Sequence, residues 1–446
     1  MLRTATMTAM ILALAACSGE NGAGDGDDAA TETAAESPDA AADAAQPGAG
    51  EDTGISLPDG FTATVFADDL GRVRHMAVRA DGTVYATLYR RTESGGLVAL
   101  PDADGNGVSD EAVYFGGAPG TGIALRDDWL YADHGNTEIV RYRLAAGELL
   151  PRGDPEVIVT GFPEQRSHAT KPMAFDGAGN MYVTVGAPSN ACQVSARTPG
   201  SPGEEPCSQL ELTGGIWRYD ADSAGQTHSP DARYATGIRN GLAMAWNDAA
   251  GALYFLSHGR DQLNGLFPEL YDEKQSAELP AEEFHKAGEG SDHGWPYSYW
   301  DHLDGARKVT PEYGGDGDKT AEPGQYADPL VAFPAHWAPN DLLFYTGDAF
   351  PDDYRNGAFV AFHGSWNRAP QPQEGYRVSF IPMNAAGEVT GEPMTFADGF
   401  KGAEVLESPG DAKHRPTGLA IGPDGALYIA DDAGGRIWKV TYSVAE

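Results

Sequence analysis

Along most of this chain, apolar positions alternate with polar or small ones in short runs, and glycine or aspartate closes each run. An alternation of period two is the pattern of half-buried strands. The runs come as a repeating unit: an apolar strand, a Gly/Asp turn, then a strand centred on Tyr or Trp. Met76–Leu88, Ile123–Ala132, Met173–Val183, Met244–Phe255 and Leu419–Ala430 are five copies, and Leu342–Phe362 is a diverged sixth. Asp-Gly and Ala-Gly between alternating apolar residues predict hairpins. Helical periodicity is nearly absent, so the chain reads as all-β.

Recurrence of one strand-turn-strand unit is the signature of a β-propeller. Six units over residues 57–446 leave roughly 65 residues each, enough for a four-stranded sheet with long loops. The expected fold is a six-bladed β-propeller of four-stranded antiparallel blades over residues 55–446. Five or seven blades, or an array of β-sandwiches, remain open on pattern alone. An open terminal blade would expose strand edges. Phe61–Phe66 is therefore expected to pair beside the last strand, Ile437–Tyr442.

The N-terminal region reads differently. Arg3 precedes a short apolar run, Met7–Ala16, too short to span a bilayer as a mature helix. The run closes with Leu14-Ala-Ala-Cys17, which resembles the lipobox of bacterial lipoproteins. That resemblance implies a signal peptide over residues 1–17, acylation of Cys17 and a lipid anchor. Residues 18–54 carry no Lys or Arg and few large apolar side chains. They are expected to form a disordered acidic tether. The protein would then sit at the bacterial cell envelope, facing the periplasm or the exterior.

Asp and Glu (66) outnumber Lys and Arg (30), for a formal charge of −36 over 446 residues. Such a field repels phosphate backbones and argues against nucleic-acid binding. Beyond Cys17 only Cys192 and Cys207 occur, in one Gly/Pro-rich loop. In an exported chain that arrangement favours a disulfide.

Four polar segments stand where inter-strand loops should reach one face of the ring: His168 before the third repeat, Gly237–Gly241, Ser257–Asp261 and Lys413–Gly418. A neutral imidazole takes a proton from an alcohol near neutral pH. A guanidinium steadies a developing oxyanion or grips a carboxylate. Singly, His168, Arg239 and Arg415 each have a structural reading as blade ties. Together, each preceding a repeat strand, they point to chemistry.

The ordered set Leu57–Phe61, His168 with Gly186–Asn190, Gly237–Asn240, His293–Pro296, Phe362–Arg368 and Arg415–Ala420 resembles the pyrroloquinoline quinone (PQQ)-dependent sugar dehydrogenases of the soluble glucose dehydrogenase and L-sorbosone dehydrogenase type. The resemblance runs from Leu57 nearly to the C-terminus, and the family fold is a six-bladed propeller. It implies oxidation of an aldose or related aldehyde sugar at C1, with PQQ and Ca²⁺ as cofactors. His168 would be the general base and Arg239 the stabiliser of negative charge on the quinone oxygen. Asn240, Arg415 and Trp337 would contact the cofactor. The main-chain carbonyls of Gly259 and Arg260 would hold the Ca²⁺ ion. The family's cofactor-holding lysine has no counterpart, and His363 or Arg368 is expected in its place. Gly241 replaces a proline common in relatives, and Leu242 a polar residue of the glucose-oxidising members. Which sugar is oxidised and which acceptor takes the electrons are left open.

A separate loop, Asp102–Glu111, resembles an EF-hand calcium loop without flanking helices. Its candidate ligands are Asp102, Asp104, Asn106 and Asp110. Two other functions compete. One is a calcium-dependent propeller lactonase, for which Asp261 and Asp292 are candidate carboxylates. The other is a non-enzymatic binding module of the cell envelope.

Overall fold

In the computed structural model, residues 53–443 are described. The expectations for Cys17, and for the tether apart from its last two residues, lie outside them. Six sheets of four or five strands make six blades, and a two-stranded hairpin, Ser298–Asp301 with Ala306–Val309, is inserted between the third and fourth strands of the fourth blade. The innermost strands are Val73–Val78, Ile123–Arg126, Met173–Phe175, Met244–Asn247, Pro339–Phe344 and Pro416–Ile421. Each packs on the next around a closed ring. The all-β, six-bladed expectation holds, with one refinement. Blades two and three each gain a fifth short strand, Gln226–Thr227 and Ser291–Asp292, paired in parallel at the outer edge.

The ring closes where the sequence indicated. Phe61 pairs with Tyr442 and Val65 with Trp438, antiparallel, so the first strand completes the last blade. This joins the first and last strands of the described residues and removes an exposed edge.

The repeated tyrosine has a structural cause. Tyr85, Tyr131 and Tyr254 stand on the second strands of their blades and are fully buried. Each hydroxyl donates to a carbonyl in the next blade, in the turn between its third and fourth strands. The acceptors are Leu149 (2.8 Å), Ala221 (2.8 Å) and Gly387 (2.9 Å). The ring fills the apolar layer between blades while the hydroxyl satisfies a turn carbonyl. Inter-blade adhesion thus selects the residue that makes the repeat legible.

Polar ties do the same work at one end of the ring. Asp432 of blade six accepts from Arg74 (2.7 Å) and Arg72 (3.3 Å) of blade one and bonds His363 of blade five (2.6 Å). Asp133 of blade two accepts the Lys171 N–H (3.0 Å) at the entry to blade three. Loops leading into the first strands and loops joining second to third strands all emerge at this end. They carry the candidate site.

Candidate active site

His168 lies in the segment entering blade three, Arg239 and Asn240 in the segment entering blade four. Between them runs Gly186-Ala187, just after the strand Asn180–Val185. His168 Nδ1 lies 2.6 Å from the Ala187 carbonyl, and the Ala187 N–H donates to the Arg239 carbonyl at 2.7 Å. A carbonyl only accepts, so Nδ1 carries the proton and Nε2 is the basic atom of the neutral ring. A side chain at Gly186 would meet His168 Cβ at 2.5 Å and Asn240 Oδ1 at 3.2 Å. Glycine is what lets imidazole and amide approach this closely.

His168 adopts a left-handed backbone, φ 51°, which a non-glycine residue holds only under constraint. Gln165 supplies the constraint. Its Nε2 lies 2.8 Å from the Ser167 carbonyl, 2.9 Å from that of His168 and 2.9 Å from that of Gly186. Lys171, three residues past the base, is fully buried and bonds the Ala169 carbonyl. Burial pushes its ammonium down to about 8, against the pull of Asp133.

The Arg239 guanidinium is buried. Nη2 donates to Asp261 Oδ2 (2.7 Å), Nη1 to the Gly259 carbonyl (3.0 Å) and Nε to the Asn190 carbonyl (3.3 Å). Asp261 also pairs with Arg197 (3.3 Å) and His336 (3.6 Å). Burial alone would raise the Asp261 carboxyl, but Arg239, His336 and Arg197 outweigh it and hold it well below the usual carboxylate range. Asn190 clasps the same residue through two bonds, Oδ1 to the Asp261 N–H (2.8 Å) and Nδ2 to its carbonyl (3.0 Å). Cys192 and Cys207 form the expected disulfide just beyond Asn190. Glu282, its carboxyl raised by burial, accepts the N–H groups of Gly259 (2.9 Å) and Ala338 (3.1 Å).

Arg415 reaches this end from blade six. It donates to the carbonyls of His363 (3.1 Å) and Gly364 (2.9 Å) and stays half-buried. An imidazole from blade three, a carboxamide and a guanidinium from blade four and a guanidinium from blade six thus come to one end of the ring.

A profile of the TrAA12-like family matches residues 55–443, nearly the whole described chain. The chain belongs to the TrAA12-like family. A PQQ-dependent pyranose dehydrogenase of Coprinopsis cinerea is 26% identical over 236 residues, which cover 46% of this chain and 30% of that protein. The chain spans less than half the length of the curated relatives it matches. The holo PQQ domain of a Coprinopsis cinerea pyranose dehydrogenase superposes with a TM-score of 0.66 at 20% identity, covering 87% of this chain and 97% of that one. A calcium structure of a Trichoderma reesei family AA12 enzyme gives 0.69 at 18% identity, covering 87% and 97%. At these identities the structural likeness concerns the fold.

Several expected site residues of this TrAA12-like chain are committed elsewhere. The Gly259 carbonyl, expected on Ca²⁺, accepts from the Arg239 guanidinium. A divalent cation placed there would lie against a fixed positive charge, so this arrangement does not fit calcium at Gly259. The Arg260 side chain turns into a buried ion pair with Glu312 (2.5 Å); the expectation for this residue concerned its main-chain carbonyl, which that pair does not involve. His363 is fixed by Asp432, and burial, reinforced by the nearby Arg415 charge, pushes it down to about 4. Arg368 spends its donors on Glu278 (2.6 Å) and the carbonyls of Ala277 (2.6 Å) and Pro372 (3.1 Å). Neither residue stands in for the family's lysine. The Trp337 ring packs between blades on Phe333 and Phe362 under Arg377, and lines an outer groove instead of the ring's centre.

The Asp102–Glu111 loop joins the third and fourth strands of blade one, at the opposite end. One oxygen of each of three carboxylates serves the loop's own backbone: Asp102 Oδ2 accepts from Gly107 (3.0 Å), Asp104 Oδ1 from Asn106 (3.1 Å) and Asp110 Oδ2 from Ala103 (2.8 Å), while Asp102 Oδ1 is enclosed without a hydrogen-bond partner. Asn106 Oδ1 accepts from Val108 (2.8 Å). Asp261 is taken by its arginines, and Asp292 accepts the Gly294 N–H (2.9 Å). Among the described residues no group of three or more His, Cys, Asp or Glu is arranged to hold a metal.

Sequence reasoning passed over Gln165, Arg197 and Glu282, and did not assign Asn190 and Asp261 their part in holding Arg239. Asn190 and Asp261 do fall inside segments singled out by pattern. Gln165 carried no signal beyond its nearness to His168.

Proposed function

We propose that this protein is a quinoprotein sugar dehydrogenase that oxidises an aldose or related aldehyde sugar at C1, with PQQ as the electron acceptor. The observation that carries the reading is the meeting of His168 and Arg239 on the two ends of Ala187. The named relatives support the choice of cofactor. PQQ is an anionic o-quinone with three carboxylates, and Arg415 and Asn240 are chemically suited to hold it.

Bound PQQ would supply a two-electron acceptor, which no side chain here provides. His168 Nε2 takes the proton from the hydroxyl on the carbon being oxidised. The Nδ1–H bond to the Ala187 carbonyl keeps the ring in that tautomer and supports the positive charge it gains. Arg239, rigid between Asp261 and two carbonyls, places fixed positive charge where negative charge develops. Asn240, beside His168 across Gly186, orients the edge of the bound partners. At the cell envelope, acylated Cys17 would tether the domain.

The test is reconstitution: PQQ, with and without Ca²⁺, is added to purified protein, and dye reduction is followed with a panel of aldoses. Reduction that requires both PQQ and a sugar is expected. No reduction with any sugar would refute the reading, and lactone hydrolysis without quinone would favour a hydrolase.

A further inference from the structure

We infer that Lys171 is a positioning residue for the general base: its ammonium clamps the carbonyl of Ala169, next to His168, and the clamp slackens when the proton is lost, which gives turnover an alkaline limit of its own. The inference rests on the assignment of His168 as the base, but its structural component is read without any turnover.

Three consecutive carbonyls of the base loop accept from side chains. Gln165 takes those of Ser167 (2.8 Å) and His168 (2.9 Å), and Lys171 takes that of Ala169. The peptides on both sides of the imidazole are thus gripped, one by Gln165 and the next by Lys171. A carboxamide does not titrate and an ammonium does. Half of the grip on the base therefore depends on pH.

Lys171 works from a fixed platform. Its N–H donates to Asp133 Oδ2 at 3.0 Å. A methyl group at Gly122 would lie 2.1 Å from the Lys171 carbonyl, so the backbone here lies tight against blade two. The side chain is fully buried, and Nζ stands 5.7 Å from the centre of the Phe162 ring.

Two titratable groups face it, Asp133 of blade two and His228 of blade three. Asp133 also accepts the N–H groups of Thr121 (3.1 Å) and Asn136 (2.9 Å). Burial pushes its carboxyl up, while Lys171 and the three main-chain donors favour its charged form. His228 is bonded at both nitrogens, to the Tyr219 hydroxyl (2.7 Å) and the Leu212 carbonyl (2.8 Å), and burial pushes it down. It is neutral above pH 7 and changes no charge there. Lys171 does, because burial has brought it down to about 8. A neutral amine donates a weaker hydrogen bond than an ammonium, so His168 is held less firmly on the alkaline side. A lysine that only tied blades two and three together would affect stability and leave the pH profile of turnover alone.

Two measurements test this on the full chain. The first is the carbonyl resonance of Ala169, selected by paired isotope labelling of alanine and threonine and followed from pH 6 to pH 10 without cofactor or sugar. A step near pH 8 is expected, absent in Lys171→Met. The second is kcat of the PQQ-loaded protein over the same range. It should fall about fivefold through the same midpoint, the scale of a charged hydrogen bond weakened to a neutral one. Lys171→Met should begin at the lowered rate and show no such fall. Lys171→Arg keeps its charge throughout and should push the fall beyond pH 10. Asp133→Asn removes a charge that favours the ammonium and should move both midpoints to lower pH together. A flat Ala169 resonance in the parent, or a kcat fall that survives in Lys171→Met, would overturn the inference and leave the dehydrogenase reading standing. An Ala169 step that requires Lys171, in a protein that oxidises no sugar, would uphold the clamp and refute the dehydrogenase.

Discussion

His168 and Arg239, 71 positions apart, are bonded to opposite ends of one residue: the imidazole to the carbonyl of Ala187 and the arginine's own carbonyl to its N–H, at 2.6 and 2.7 Å. The base and the cationic group therefore share a reference point in the backbone. The two segments are joined through a single residue, Ala187.

Gly186→Ala tests that geometry. The new methyl would come within 2.5 Å of His168 Cβ and 2.8 Å of the His168 carbonyl, so the base must shift. A displacement of this order costs catalysis far more than folding. We expect kcat to fall at least tenfold while the denaturation midpoint moves modestly. Unchanged turnover in a folded variant would show that His168 placement is not limiting.

Gln165 is a positioning residue, since it touches only the carbonyls that hold the base loop. Gln165→Ala should lower kcat about tenfold and leave the affinity for PQQ unchanged, because the loop that carries the base loses the donor bonding its carbonyls. Gln165→Glu should not restore activity, because a carboxylate cannot donate to three carbonyls. Parallel losses in turnover and in PQQ affinity would indicate a general structural role.

Asp261 joins two guanidiniums in the interior. Asp261→Asn would leave buried positive charge uncompensated and should destabilise by about 3–5 kcal/mol. The sign of the pH effect follows from the carboxyl's lowered value. A carboxyl held low when folded contributes stability above its unfolded value, about 4, and loses it as pH falls through the folded value. Denaturant unfolding from pH 7 to pH 3 should thus show stability declining on the acid side in the parent and declining less steeply in Asp261→Asn. Equal acid slopes would contradict the assignment.

The disulfide joins Cys192, two residues past Asn190, to Cys207, ahead of blade three's third strand, across a separation of 15 positions. Replacing both cysteines with serine should cost about 3 kcal/mol. Because Asn190 and Arg197 clasp Asp261, the loss should be accompanied by a lower kcat/KM, which thermal melts and steady-state assays report together. A stability loss with unaltered kinetics would detach the loop from the site.

The fold was legible because its causes are local or repeated. Period-two alternation sets the strands, Asp-Gly or Ala-Gly sets most of the repeat hairpins, and the inter-blade hydroxyl bonds of Tyr85, Tyr131 and Tyr254 place the same residue in three of the units. The pairing of Phe61 with Tyr442 was legible because a ring leaves no other partner for a lone first strand. The partners that hold the site residues in place were not. That the Gly259 carbonyl would be taken by Arg239, that Trp337 would turn between blades, and that Arg368 would be spent on Glu278 depend on contacts across 20 to 90 positions. Such contacts leave no trace in local pattern. Nor does left-handed backbone at a histidine, which only Gln165 explains.

The most direct measurement is rapid mixing of the PQQ-loaded protein with a saturating aldose, following the absorbance of the bound quinone in the parent and in His168→Gln. The account predicts that both bind PQQ stoichiometrically and that quinone reduction in the variant is slower by at least about 10²-fold, the scale of a lost general base. Failure of the parent to bind PQQ, or equal reduction rates in the two proteins, would contradict it.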